Sequence, residues 1–147
     1  MQIRPADKND AKEIAEIIKR HFETDYMGFA PFNEKYIKEK MKKDKFFVAD
    51  NGRIVGCLRI SFVDTDLAEI RALCIDKESR KKGIAQMLFD ESLEFMKEKN
   101  MRKIIARVKS DNKDAIKLFE KNGFKQEGYF IEHYRKGIDV VQLYRFL

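Results

Sequence analysis

Apolar residues along this chain recur with two different periods, and each change of period marks an element. Residues 1–4 read as a short strand ended by Pro5, and Asp7 follows as a helix N-cap. Ile14, Ile18 and Phe22, flanked by Ala11, Ala15 and Ile17, form a helical stripe. That helix is expected to stop as residues 21–32 begin, a segment rich in aromatics that carries Gly28 and Pro31. A loop this apolar either packs down or is used for binding. Asn33 caps a short charged helix over residues 34–43, with Tyr36, Ile37 and Met41 as its inner face.

The period then shortens. β-branched and aromatic runs at 46–50 and 53–62 predict two strands joined by Asn51-Gly52, the strongest short hairpin signal a sequence offers. A turn at 64–66 leads to a strand at 67–75, so three consecutive strands make a meander. After a polar turn comes a helix over 82–99, with Ile84, Leu88 and Phe95 or Met96 on one side and Asn100 as its stop. A strand at 101–108, a short helix at 113–121 closed by Asn122-Gly123, and strands at 124–131 and 140–146 complete the chain. The order β-α-α-β-β-β-α-β-α-β-β predicts a mixed α/β sheet with helices on both faces, in one domain over residues 1–147. The unit from 67 to 108 should be a right-handed parallel crossover, which puts its polar turn at the carboxyl end of a strand, where open α/β sheets bind ligands.

Composition narrows the class. Hydrophobic residues make up 44% and charged residues 38% of 147, which fits a globular chain. The longest apolar runs are a few residues, too short to span a membrane, and the start Met-Gln-Ile-Arg-Pro has no apolar signal region, so a cytoplasmic protein is expected. The net charge of +6 permits a nucleic-acid partner, but Lys and Arg alternate with Asp and Glu, with no basic tail and no aromatic-basic platform. The reading is a solvated surface with part of its excess facing a polyanionic ligand. Cys57 and Cys74 read as two buried thiols rather than a disulfide framework. His21 and His133 are isolated and no zinc spacing exists.

The polar turn carries the candidate chemistry: Arg80-Lys81-Lys82-Gly83-Ile84-Ala85. A glycine lets backbone come close to a ligand, and a helix N-terminus offers unpaired N–H groups and partial positive charge. Together these make a site for a phosphate or pyrophosphate. The turn is neither G-x-x-x-x-G-K-[ST] nor G-x-G-x-x-G, which argues against a nucleoside triphosphatase and a dinucleotide enzyme. It resembles the R-x-x-G-x-G/A signature of the GNAT superfamily of acyl-CoA-dependent N-acyltransferases. Further on, Asn112-Lys-Asp-Ala-Ile-Lys-Leu-Phe-Glu-Lys-Asn-Gly-Phe resembles that superfamily's other signature, N-x-x-A-x-x-(L)-Y-x-x-x-G-F. The two stand in the family's order and at its usual separation, and with the meander the resemblance covers nearly the whole chain.

The resemblance implies a GNAT fold, a central mostly antiparallel sheet with one parallel strand pair. It implies an N-acetyltransferase that passes acetyl from acetyl-CoA directly to an amine of a small molecule or of a peptide or protein. Backbone groups of Leu73, Cys74 and Ile75 would pair with the pantetheine arm like an added strand. Arg80 and the amides of Lys81, Lys82, Gly83, Ile84, Ala85 and Gln86 would hold the pyrophosphate. Asn112 would hydrogen-bond the coenzyme near the pantetheine, and an N–H of Cys74 or Ile75 would polarise the acetyl carbonyl. No metal is implied, and superfamily members are often dimers.

An amine acceptor is mostly protonated near neutral pH, so a base must remove a proton. Glu69 stands where some branches keep a glutamate base; the alternative is an ion pair with Arg71. By strand alternation Glu69 should share a face with Arg71, Leu73 and Ile75. The acid is a departure: Phe119 fills the coenzyme-lining slot where many members have Tyr, and Phe cannot donate a proton. Tyr134 is the preferred substitute, with Tyr129 and His133 nearby. A second departure is Arg107, where bacterial ribosomal-protein alanine acetyltransferases place a glutamate. Arg107 and Arg71 could meet a carboxylate or phosphate on the acceptor, or pair with the protein's own acids. A covalent route through Cys74 is disfavoured, because a thiol in a buried strand with no His beside it in sequence is inert.

Overall fold

The computed structural model describes residues 1–25 and 31–147. Its elements are β1 (Gln2–Pro5), α1 (Ala11–Asp25), α2 (Glu34–Met41), β2 (Lys45–Asp50), β3 (Ile54–Asp64), β4 (Leu67–Ile75), α3 (Ile84–Glu98), β5 (Lys103–Lys109), α4 (Lys113–Lys121), β6 (Lys125–Arg135) and β7 (Ile138–Phe146). They build a seven-stranded sheet in the order β1-β2-β3-β4-β5-β7-β6, antiparallel everywhere except between β4 and β5. The meander and the parallel crossover stand as the sequence predicts. The last strand inserts between β5 and β6, an arrangement no local pattern signals.

Each helix starts on a local signal. Asp7 Oδ1 accepts from the Asn9 N–H at 2.8 Å, and the Asp10 carboxylate returns a bond from the Asp7 N–H at 2.8 Å, a capping box that opens a 3-10 turn into α1. Asn33 Oδ1 caps α2 through the Tyr36 N–H. α1 continues through His21 to Asp25 rather than stopping before it. No Gly or Pro interrupts the sequence there until Gly28, so nothing breaks the ladder. The rest of the expected loop, residues 26–30, lies outside the described residues.

Two apolar layers hold the helices to the sheet. On one face Leu88, Phe89, Leu93 and Met96 of α3 and Phe119 of α4 bury against Leu58, Ile60, Ala68, Ile70, Ile104, Ala106, Val141 and Leu143. On the other, Ile14, Ile17 and Ile18 of α1 and Ile37 of α2 bury against Phe46, Val48, Cys57 and Cys74. A fully buried Leu, Ile or Phe contributes about 1.5–3 kcal/mol relative to exposure, so both layers bear on stability.

Candidate active site

β4 and β5 pair only over Leu67–Ile70 with Lys103–Ala106. Beyond that point β4 stays with β3 and β5 stays with β7, so the two parallel strands part at Arg71 and Arg107. The β3–β4 register runs Arg59 to Ala72 and then Ile60 to Ile70, which leaves Arg71 unopposed. One extra residue bends a strand away from its neighbour, and nothing in the local residue pattern marks it.

The bulge also reverses alternation. Ala68 and Ile70 face α3, and so do Leu73 and Ile75, while Ala72 and Cys74 face α1. Glu69 therefore lies on the α1 side with Ala72 and Cys74, opposite Ser61 of β3, and does not share a face with Leu73 and Ile75 as simple alternation predicted.

Backbone direction follows from one bond. The Asp76 N–H donates to the Val55 carbonyl at 2.9 Å, so residues 55 and 76 form a hydrogen-bonded pair. Alternation makes Cys57 and Cys74 another, and it turns the N–H and C=O groups of Leu73 and Ile75 away from β3, into the gap. Of the two candidates for polarising a carbonyl, Ile75 faces the gap and Cys74 does not. The Ile75 carbonyl accepts from Arg80 Nε at 3.1 Å, so the Arg80 side chain braces the end of the strand.

The turn beyond β4 is pinned from three directions. Asp76, with a side chain 10% exposed, takes Arg20 of α1 on one oxygen and Arg53 on the other, each at 2.7 Å. Burial pushes its carboxyl up, and the two arginines outweigh that and hold it below the usual carboxylate range. Arg80 Nη2 meets His21 Nδ1 at 3.5 Å. Lys81 (φ +61°) and Gly83 (φ +78°) turn the backbone left-handed into α3. Gly83, as N-cap, makes no side-chain bond to the helix, and the first turn of α3 holds no acidic residue, whereas the first turns of α1, α2 and α4 hold Glu13, Glu34 and Asp114. The positive end of α3, with the N–H groups of Ile84, Ala85 and Gln86, thus meets no acidic side chain of its own first turn. Lys81 and Lys82 are exposed beside it. The Gln86 side chain is occupied elsewhere: it exchanges amide bonds of 2.8 and 3.0 Å with Asn122 and ties α3 to the end of α4.

Asn112 Oδ1 caps α4 through the Ala115 N–H at 3.2 Å, leaving its Nδ2 without a partner among the described residues. Phe119 is 4% exposed and packs edge-on against Phe89 and Phe124 with centroids 5.4 and 5.0 Å apart. The ring belongs to the seam between α3 and α4.

On the α1 side of the gap stand the titratable candidates. Glu69 is 7% exposed, with Arg71 Nη2 at 3.7 Å. Across the split, Arg107 donates from Nε to Gln142 Oε1 at 3.0 Å and from Nη1 to the Tyr134 hydroxyl at 2.9 Å, with His133 Nε2 at 3.4 Å and the Phe130 ring 5.2 Å away. Tyr129 is occupied: its hydroxyl donates to Asp139 at 2.7 Å, and that bond raises its pKa. Gln142, Phe130 and Asp76 are members of this region that sequence reasoning missed. Their signal is a polar or aromatic residue at a strand position, which only register turns into a neighbour.

Among the described residues no group of three or more His, Cys, Asp and Glu could hold a metal, and no helix is long and apolar enough to cross a membrane. Residues 11–124 match the acetyltransferase (GNAT) family. The chain is 30% identical over 141 residues to an uncharacterized N-acetyltransferase of Methanocaldococcus jannaschii, covering 85% of this chain and 61% of that protein. It is 28% identical to N-alpha-acetyltransferase 30 of Schizosaccharomyces pombe over 93% of this chain and 92% of that one. In structure it is similar to yncA of Salmonella typhimurium, solved with its cofactor acetyl-CoA, at a TM-score of 0.87 and 17% identity, over 100% of this chain and 94% of that chain.

Proposed function

The chain belongs to the acetyltransferase (GNAT) family, and we propose that it transfers acetyl from acetyl-CoA directly to an amine, foremost the α-amine of a peptide or amino acid. The observation that carries this is the gap itself: an unpaired β4 edge leads straight to an uncapped helix N-terminus. Leu73 and Ile75 align the pantetheine arm through their backbone groups, and Asn112 Nδ2 adds a donor from the other arm. The N–H groups of Ile84, Ala85 and Gln86, with Lys81, Lys82 and the close approach that Gly83 permits, hold the pyrophosphate. Arg80 acts at one remove, by fixing the end of β4. Phe119 supports the α3–α4 seam from behind.

Glu69, kept beside Arg71, takes the proton from the acceptor ammonium, directly or through a water. The amine nitrogen then bonds the acetyl carbon, the carbon–sulfur bond breaks, and the sulfur leaves as thiolate. The Ile75 N–H stabilises the oxyanion during that exchange. Tyr134, whose hydroxyl accepts from Arg107 Nη1 and keeps its own O–H free to donate, supplies the thiolate's proton, and the second proton that the nitrogen sheds on becoming an amide restores the tyrosine through solvent. The relatives named N-alpha-acetyltransferase support an α-amine over a side-chain amine.

The test is release of free thiol from acetyl-CoA with a panel of amino acids, peptides and polyamines, alongside calorimetry with coenzyme A. Heat of binding and thiol release with an α-amine are expected. Coenzyme binding with no transfer to any amine makes the chain a silent acyl-CoA-binding module, and no heat at all removes the site.

A further inference from the structure

The two arginines that flank the split differ in what they hold. Arg71 has the Glu69 carboxylate at 3.7 Å. Among the described residues Arg107 has no carboxylate at all: its partners are the Gln142 carbonyl oxygen, the Tyr134 hydroxyl and His133 Nε2. The acid nearest along its hydrogen-bond chain is Glu127, which accepts from Gln142 Nε2 at 2.9 Å and is already paired with Lys103 at 2.8 Å. Lys103, Glu127, Gln142, Arg107 and Tyr134 thus form one chain of bonds across β5, β7 and β6 that fixes the guanidinium without neutralising it.

Half of the guanidinium fork is open. Nε and Nη1 are engaged, and the two N–H groups of Nη2 have no acceptor among the described residues. Arg107 is half-buried, with its Cζ 5.2 Å from the centre of the Phe130 ring. A partly desolvated cation with no counter-charge is costly, and one already fixed by its bonds loses less entropy when a ligand binds it. It stands on the same sheet face as Glu69, on the facing strand, one position past the last paired residue, Ala106. A group held there sits a few bonds from an amine held at Glu69. The two N–H groups of Nη2 diverge, so one of them can donate to a single carboxylate oxygen; a phosphate dianion calls for more donors.

We propose that Arg107 is a specificity-determining residue that recognises a carboxylate carried by the acceptor close to its reacting amine. This rests on the transferase reading above, because that reading places the amine at Glu69. The carboxylate has two sources, the α-carboxylate of a free amino acid or an acidic side chain at the second position of a peptide.

The experiment uses matched acceptors: an amino acid against its amide, and a peptide with Asp at its second position against the same peptide with Asn. For the wild type, kcat/KM about tenfold higher for the acid member of one pair is expected, as for a charge-assisted hydrogen bond, and that pair identifies the source. In Arg107→Gln the acid-over-amide preference collapses, whatever rate both members lose together through Tyr134. Equal rates for acid and amide in both pairs overturn the proposal, as does an equal loss for both in Arg107→Gln, which reduces Arg107 to holding Tyr134. If no amine is acetylated, the transferase reading fails separately, and the Arg107 Nε–H resonance decides. A saturable shift with the acid acceptor and none with its amide, in the presence of coenzyme A, upholds carboxylate recognition; no difference between them ends it.

Discussion

Glu69 and Leu73 point to opposite faces of one strand although they stand four positions apart. An even spacing should keep them together, and the bulge at Arg71 is what parts them. Deleting Arg71 should restore strict alternation with Leu73 and Ile75 still in the α3 layer, remove the bend that parts β4 from β5, and abolish coenzyme binding in calorimetry. Arg71→Ala keeps the extra residue and should leave coenzyme affinity within about threefold.

Glu69→Gln removes the proposed base and little else. Its turnover should fall by about 10²–10⁴ with coenzyme affinity unchanged. Equal losses in both would assign Glu69 to holding Arg71.

The pyrophosphate turn separates stability from binding. A Cβ on Gly83 would meet nothing within 4 Å, so Gly83→Ala has only its φ of +78° to oppose it. About 1–2 kcal/mol of stability should be lost, with a larger loss of coenzyme affinity, because the methyl enters the space left for the phosphates. Lys82→Glu, at an exposed position, should leave Tm unchanged and weaken coenzyme binding in a salt-dependent way. Unchanged affinity in both variants would move the anion elsewhere.

Cys57 and Cys74 are direct cross-strand partners, both buried, and the contact with Cys74 together with burial pushes the Cys57 thiol up. Neither should react with a bulky thiol reagent in the native protein, and both should react in denaturant. Cys74→Ala should retain turnover within a few-fold; abolished turnover with coenzyme still bound would revive an acyl-cysteine route.

Asp10 and Asp76 should contribute to the low-pH limit of the fold. The Arg4 bond holds Asp10 below its ordinary value, against burial, with the Asp7 N–H assisting; Arg20 and Arg53 do the same for Asp76. A depressed folded pKa gives stability that is full above the unfolded value, about 3.9, and lost as pH falls through the folded one. The pH dependence of Tm should therefore steepen below about pH 4 and flatten there in Asp10→Asn and Asp76→Asn. An unchanged acid limb in both would show that these pairs are not what acid breaks.

What could be read in the residues was local. Asn51-Gly52 fixed a hairpin, the apolar run at 67–75 and the stripe behind Gly83 fixed a strand and a helix, and Asn112 marked a cap. What could not be read depends on register. The unopposed Arg71 looks like any strand residue until β3 lies beside it, and Gln142 becomes a partner of Arg107 only because β7 pairs with β5. Period-two reasoning therefore put Glu69 on the wrong side, and α1 ran past its expected end because no breaker stood there.

β7 lies between β5 and β6, so the last strand of the sequence is an interior one. β6, which carries Tyr134, joins the sheet only through β7, so Arg107 and Tyr134 meet only once β7 has paired with both β5 and β6. A chain shortened by that strand would expose β5 as a raw edge open to other chains. The pairing of one interior strand is thus what ties the Tyr134 arm to the rest of the sheet.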